Sequence, residues 1–283
     1  MTQVSRRRRA AIAAMACLVI AAPAIGAAPR VMSLDYCADQ YLLALADRSQ
    51  IVALSPDALA AHSYHAEKAR GIPTARASAE EIITLEPDLV LRLWGGGHRA
   101  NDMPVRFGIP VVTLESGDNI AVARANVRRA ARVIGQPQRG ERLLADFDAR
   151  LGKVSATYAA TPIGERPTAV YITPSGYTTG SETLAHEVMQ AAGLRNLIAA
   201  KAIRGWLPVP LEQLVLTPPD FFVAGFYDVQ SNENANWSAA RHRLLRDEMG
   251  NKPVVYIPGR LLACSAWFFI DAVEMIHSAA AKG

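Results

Sequence analysis

The chain predicts an α/β protein: two α/β lobes with mainly parallel sheets, joined by one long helix. Three observations lead there. Short β-rich runs alternate with helical patterns along most of the sequence, the arrangement of parallel strands with crossover helices. One apolar stripe (Leu143, Leu144, Phe147, Leu151, Val154) runs unbroken from Pro137 to about Tyr158. Finally, Glu80-Glu81-Ile82-Ile83…Glu86-Pro87-Asp88-Leu89-Val90 is echoed by Glu212-Gln213-Leu214…Pro218-Pro219-Asp220-Phe221-Phe222. Each is a short acid-led helix, then Pro-Asp, then a buried strand, which predicts two related lobes.

The elements follow in order. Val31 to Leu34 reads as a strand and Asp35 to Asp47 as a helix with Tyr41, Leu42 and Leu45 inward. Ile51 to Leu54 is a second strand. Ala79 to Leu85 is a short helix, with Ser78 as its cap and Glu80 and Glu81 in the first turn, where negative charge is favoured. Pro87 stops it before the strand Asp88 to Leu91, which leads into the glycine-rich loop Trp94 to His98. Val111 to Leu114 is a further strand. Asn119 to Ile134 is helical and ends at Gly135, and Pro137 can open the long helix at its first position. At 1.5 Å per residue, some 22 residues make a rod of about 33 Å. Beyond it, Ala169 to Ile172 is a strand, 174–180 a loop, Leu184 to Ala192 a helix, Leu211 to Leu216 a short helix, Phe221 to Ala224 and Val254 to Ile257 strands, and Phe268 to Ala281 a closing helix.

The N-terminus sets the compartment. Arg6 to Arg9 precede an apolar run from Ala10 to Ile20, and small residues close the segment at Ala28 before Pro29. That is a secretory signal pattern, too short to span a membrane. The organisation expected is therefore a signal peptide over 1–28, an N-terminal lobe over 29–136, a connecting helix over 137–160 and a C-terminal lobe over 161–283. The whole chain carries 30 basic and 26 acidic side chains, but four of the arginines lie in the signal, leaving the remainder balanced. No basic stripe interleaved with aromatics follows, so nucleic-acid binding has no support. Cys37 and Cys264 remain after the signal, 227 positions apart. Two are too few for a disulfide scaffold; they either pair or stay as separate thiols.

Taken together, "ASAEEIITLEPDLVL" (77–91), "FGIPVVTLE" (107–115), "GYTTGSETLAHEVMQAAGLRNL" (176–197) and the central helix resemble the helical-backbone, class III substrate-binding proteins of ABC importers. That group captures vitamin B12, heme and ferric siderophores. The resemblance covers 30–276 and implies a ligand cleft between two lobes that move little. It further implies a periplasmic monomer that binds a cobalt or iron chelate, uses no cofactor and does no chemistry. Its partner would be a permease dimer with its ATPase, docked through one acid from each lobe; Glu80 and Glu212 match those positions. Leu93-Trp94-Gly95-Gly96-Gly97-His98 is similar to the ligand loop of cobalamin-binding members, and Tyr177 falls at an aromatic position of the second-lobe loop. The loop from Ser55 to Tyr64 and the polar stretch 228–241 depart from that pattern, which keeps siderophore and heme ligands open.

Open α/β sheets bind ligands at the carboxyl ends of their strands. The candidate ligand-binding residues are thus Asp35, Tyr36, Cys37, Trp94, Gly95, Gly96, His98, Tyr177, Trp206, Tyr227 and Trp267. Aromatic surface with a few placed polar groups suits a large flat ligand. His62 and His65 form His-x-x-His in a loop, which allows a Zn or Mn reading, but no acidic or histidine partners stand beside them in sequence. An exported hydrolase is the alternative of another class; no Gly-x-Ser-x-Gly elbow, P-loop or His-Glu-x-x-His occurs.

Overall fold

The computed structural model describes residues 28–96, 99–226, 228 and 243–281. The signal segment and most of the 228–241 stretch, with Trp237, lie outside them.

The first lobe runs β1 (Val31–Ser33), α1 (Tyr36–Leu45), β2 (Ile51–Ala53), α2 (Ala66–Ala69), α3 (Ala79–Leu85), β3 (Leu89–Arg92), α4 (Arg99–Arg106), β4 (Val111–Thr113) and α5 (Ile120–Ile134). The helix α6 (Pro137–Tyr158) follows. The second lobe runs β5 (Thr168–Ile172), β6 (Tyr177–Thr179), α7 (Leu184–Ala191), β7 (Arg195–Asn196), β8 (Trp206–Pro208), α8 (Leu211–Leu216), β9 (Phe221–Gly225), α9 (Arg243–Asn251), β10 (Val254–Ile257) and α10 (Ile270–Ala280). Each lobe holds a four-stranded parallel sheet whose strands are largely buried, as expected where helices cover both faces. The fold class expected from sequence is the one found.

The sheets share a strand order. In the first it is β2-β1-β3-β4; in the second it is β7-β5-β9-β10. Counted among its own four strands, each sheet runs second, first, third, fourth. The repeated Pro-Asp phrase has a physical counterpart. Asp88 Oδ2 accepts the backbone N–H of Arg30 at 2.7 Å, just ahead of β1. Asp220 Oδ2 accepts the N–H of Thr168 at 2.8 Å and its hydroxyl at 2.7 Å, at the start of β5. Each aspartate therefore ties the start of the sheet's third strand to that of its first. The Thr168 N–H holds the Asp220 carboxyl below its usual value, followed by the Thr168 hydroxyl.

Gly135 ends α5 at φ 82°, and Pro137 opens α6, whose Leu144, Phe147 and Val154 are buried. Two sequence expectations change. The segment 174–180 was expected to be loop throughout, yet Tyr177–Thr179 pairs antiparallel with Trp206–Pro208. The closing helix begins at Ile270 rather than Phe268, after a 3-10 turn over Trp267–Phe269. Three consecutive aromatics cannot share one helical face. Trp267 packs on Tyr41 (5.1 Å between centroids), Phe268 stacks on Tyr64 (4.3 Å) and Phe269 meets Phe147 edge-on (5.5 Å).

Several bonds couple the lobes. Cys37 and Cys264 form a disulfide, with their Cα atoms 5.6 Å apart. Tyr64 donates to Asp271 at 2.8 Å, and Arg150 of α6 reaches both Asp271 (2.6 Å) and Glu274. Ser265 donates to Asp118. Burial, then the bond to Asp271, raises the Tyr64 phenol to about 12, so it stays a donor across the physiological range. Replacing Cys37 and Cys264 together with Ala is expected to lower unfolding stability by about 2–5 kcal/mol, because the bridge removes much of the unfolded chain's freedom. Urea midpoints of oxidised wild type and variant test this; equal midpoints contradict it.

Candidate functional site: the carboxyl edges of the two sheets

A sheet ordered second, first, third, fourth has its switch point between the first and third strands. The loops leaving those two strands diverge and open a crevice. In the first lobe the switch lies between β1 and β3, and one carboxylate organises it. Asp35 caps α1, accepting the N–H of Ala38 at 2.9 Å through Oδ1. Its Oδ2 accepts the N–H groups of Leu93 (2.8 Å), Trp94 (3.1 Å) and Gly95 (3.0 Å). Both loops at the switch are thus held by one side chain.

The glycines beside it are needed for close approach. A Cβ on Gly95 would run into the carbonyl of Leu34, and Gly96 sits at φ 87°. The tight turn lifts Trp94 outward, leaving it 54% exposed on a pinned backbone. Tyr36 packs edge-on against Trp94 (5.5 Å) and His62 (4.5 Å), and its hydroxyl points to the carbonyl of Ala263 in the other lobe at 3.4 Å. Burial, then the charges of Asp35 and Asp57, raise the Tyr36 phenol above its usual value.

In the second lobe the switch lies between β5 and β9. The turn after β5 is closed by Thr173, which donates its backbone N–H to the Tyr177 carbonyl and accepts the Tyr177 N–H through Oγ1, both at 3.0 Å. Thr179 stands opposite Trp206 in the two-stranded ribbon, so Tyr177 and Trp206 share one face by the period-two rule. Tyr177 is 45% and Trp206 49% exposed. Trp206 rests edge-on against the buried Tyr171 at 5.7 Å, and the Tyr171 ring fills the space a Cβ on Gly225 would need.

The residues named from sequence therefore divide. Tyr36, Trp94, Tyr177 and Trp206 offer aromatic surface at the two carboxyl edges, each pair in contact or aligned within its own lobe. Gly95 and Gly96 shape the turn beneath Trp94. Asp35, Cys37 and Trp267 are turned inward. They follow strands as expected, but Asp35 is buried in its four N–H bonds, Cys37 is held by Cys264, and Trp267 packs on Tyr41 and Phe268. These side chains build the site from beneath. His98 and Tyr227 lie outside the described residues. His62, weighed in sequence only as half of a His-x-x-His motif, meets Tyr36 edge-on. Among the described residues no cluster of three or more His, Cys, Asp or Glu could hold a metal ion, and no helix is long and apolar enough to cross a membrane.

A sequence model described as periplasmic binding protein matches residues 31–230, well over half of the chain. The chain belongs to the periplasmic binding protein family. Among similar solved structures is the periplasmic heme-binding protein HutB of Vibrio cholerae, with 17% identity and TM-score 0.69, covering 88% of this chain and 97% of that one. The periplasmic heme-binding protein RhuT from Roseiflexus sp. RS-1 has 21% identity and TM-score 0.67 over 89% and 98%. The periplasmic vitamin B12 binding protein BtuF of Vibrio cholerae has 18% identity and TM-score 0.64 over 90% and 98%. At these identities the likeness is one of fold. No curated protein sequence matches the chain.

Within this periplasmic binding protein, Glu80 and Glu212 occupy equivalent places. Each is exposed in the first turn of a short helix, α3 or α8, that leads into the third strand of its four-stranded sheet, and neither carboxylate makes an ion pair or hydrogen bond among the described residues. Replacing Asp35 with Ala is expected to cost about 2–4 kcal/mol, because four N–H groups lose their acceptor in one step. Trp94→Ala, which removes a half-exposed ring, should leave stability nearly unchanged. Urea unfolding of the two variants distinguishes anchor from surface; equal losses contradict the assignment.

Proposed function

We propose that this protein is the exported, substrate-binding component of an ABC importer. It captures a metal-chelate nutrient, a corrinoid above all, between its two lobes and delivers it to a permease. The observation that carries the reading is the pair of aromatic surfaces held rigidly at the two switch points: Trp94 with Tyr36, and Tyr177 with Trp206. Three large rings, Trp94, Tyr177 and Trp206, left half-open to solvent on anchored backbone are costly to expose unless a flat apolar partner covers them. A bare ion has no use for them. Heme or a ferric siderophore is the alternative within the same family, and the heme and vitamin B12 ligands named for the similar structures suit both readings.

Export follows from the Arg6–Arg9 cluster and the apolar run behind it, with processing near Ala28 and a mature chain that begins near Pro29. The protein then works in the periplasm as a monomer and carries no cofactor or catalytic group. Glu80 and Glu212 serve as docking points, one per lobe, for cationic side chains on a two-subunit permease. The shared strand order supports this, since two equivalent acids on two equivalent lobes suit a partner with two equivalent faces.

Two measurements test the reading. Calorimetric titration with cyanocobalamin, hemin and ferrichrome is expected to give tight binding for one of them. Trp94→Ala should weaken that binding by about 1–3 kcal/mol, the scale of one well-packed aromatic contact. Binding of Zn or Mn ions alone would replace the chelate reading. In the second, Glu80→Ala with Glu212→Ala should leave ligand affinity and melting temperature nearly unchanged while transport in vesicles holding the cognate importer falls sharply, since each lost acid leaves a cation unpaired. Wild-type transport would reject the docking role.

A further inference from the structure

The second lobe holds a polar cavity away from the crevice. It measures about 360 Å³ and is lined from both α7 and β7. Arg195 and Asn196 of β7 pair with Thr168 and Ala169, at the amino end of β5. The cavity therefore stands at the opposite end of the sheet from the carboxyl edge. The sheet stops at β7. The N–H groups of Arg195 and Leu197 donate to Pro167 and Ala169, so the Asn196 N–H between them faces the open edge.

Two side chains of this cavity present donors that meet no acceptor. The first is His186. Asn196 Oδ1 accepts the N–H groups of Ile198 (2.9 Å) and Ala199 (3.3 Å), which settles which end of the amide is nitrogen. Asn196 Nδ2 then donates to the Thr179 carbonyl at 2.9 Å and to His186 Nδ1 at 3.3 Å. Burial lowers the His186 pKa, so the ring is neutral and carries its proton on Nε2. No acceptor meets that proton among the described residues. The second donor is Arg195. Its guanidinium makes no ion pair or hydrogen bond among the described residues, and its Nε is buried away from solvent. Asp220 is lowered first by Thr168, then by Lys252 and last by Arg195, with which it forms no ion pair. Buried donors of charged groups are seldom left unmatched, and the guanidinium fork fits a carboxylate. Arg195 is the only charged side chain in the lining among the described residues, beside apolar wall from Ile163, Ala199 and Ala200. One positive charge matches one anionic group, and the apolar wall suits a short carbon body better than an inorganic ion.

We propose that this cavity binds a small organic monocarboxylate, with the Arg195 guanidinium and the His186 Nε2–H donating to the carboxylate and Ile163 covering the apolar end. A free short-chain acid carries that group, and so does the C-terminus of a small peptide. The peptide would also set an acceptor against the Asn196 N–H at the open edge. The site is separate from the crevice and stands or falls independently of chelate capture.

Proton–nitrogen correlation NMR of the whole mature protein tests it, with isobutyrate, acetyl-dialanine and inorganic phosphate as probes. Isobutyrate is expected to move the Arg195 Nε–H and His186 ring signals saturably, and to bind more tightly than phosphate. Tighter binding of acetyl-dialanine, with the Asn196 amide moving too, assigns the peptide source; equal or weaker binding assigns the free acid. Arg195→Gln should weaken isobutyrate binding at least about tenfold, the scale of a lost charge-assisted hydrogen bond. Arg195→Lys keeps the charge without the fork and should weaken it as well. Both variants should melt near wild type, since the Arg195 side chain makes no bond to lose, and should titrate with cyanocobalamin, hemin and ferrichrome as wild type does. Unmoved Arg195 and His186 signals with all three probes overturn the site. Phosphate binding as tight as isobutyrate overturns the carboxylate assignment, and unchanged affinity in both variants overturns the role of Arg195. Should a variant fail to fold, the signals of the wild type decide alone.

Discussion

Both loops that frame the first-lobe crevice depend on the carboxylate of Asp35. A parallel sheet with its switch point between β1 and β3 sends two chains apart at the same edge, and each leaves backbone N–H groups without strand partners. Asp35 collects four of them: one from the first turn of α1, three from the turn after β3. The position of Trp94 is then fixed relative to Tyr36, although they lie 58 positions apart in sequence. Gly95 permits the approach, since any side chain there would strike Leu34. The exposure of Trp94 is in this sense a product of burial underneath it.

Coupling between lobes is concentrated on one side of that anchor. Cys37, two residues beyond Asp35, is covalently joined to Cys264, and the same stretch of the second lobe receives Tyr36 at Ala263 and gives Ser265 to Asp118. Farther back, Tyr64, Asp271, Arg150 and Glu274 tie the first lobe to α10 and to the middle of α6. The exposed aromatic rings therefore lie on a frame clamped both beside the crevice and behind it. Arrangements of this kind favour small adjustments over wide hinge opening.

Much of this was legible in the sequence because it is local. Alternating runs gave the strands, Gly135 and Pro137 gave the junction of α5 and α6, and the recurring Pro-Asp phrase pointed to two related lobes before the shared strand order was seen. The Trp94 loop stood out because a tryptophan among glycines has little to pack against. What stayed hidden was long-range. Position after a strand marked Asp35, Cys37 and Trp267, but it cannot tell an inward side chain from an outward one. Their burial depends on partners 58 to 227 residues away. The β6–β8 ribbon was missed for the same reason, as three residues of Trp206–Pro208 carry too little pattern to announce a strand without the partner in view. His62 and His65 looked equivalent in sequence, three residues apart, yet the ring of His62 meets Tyr36 while that of His65 lies against Tyr64 and Trp267.

The bridge between Cys37 and Cys264 also bears on how the molecule is made. Its halves are among the first and last parts of the body to be synthesised, 227 positions apart. Cys37 must wait as a free thiol while both sheets form, and the bond can close only on a chain whose two halves have already met. Beyond Cys17 there is no third cysteine to trap it wrongly. Oxidation therefore acts as a seal on finished assembly rather than as a guide to it.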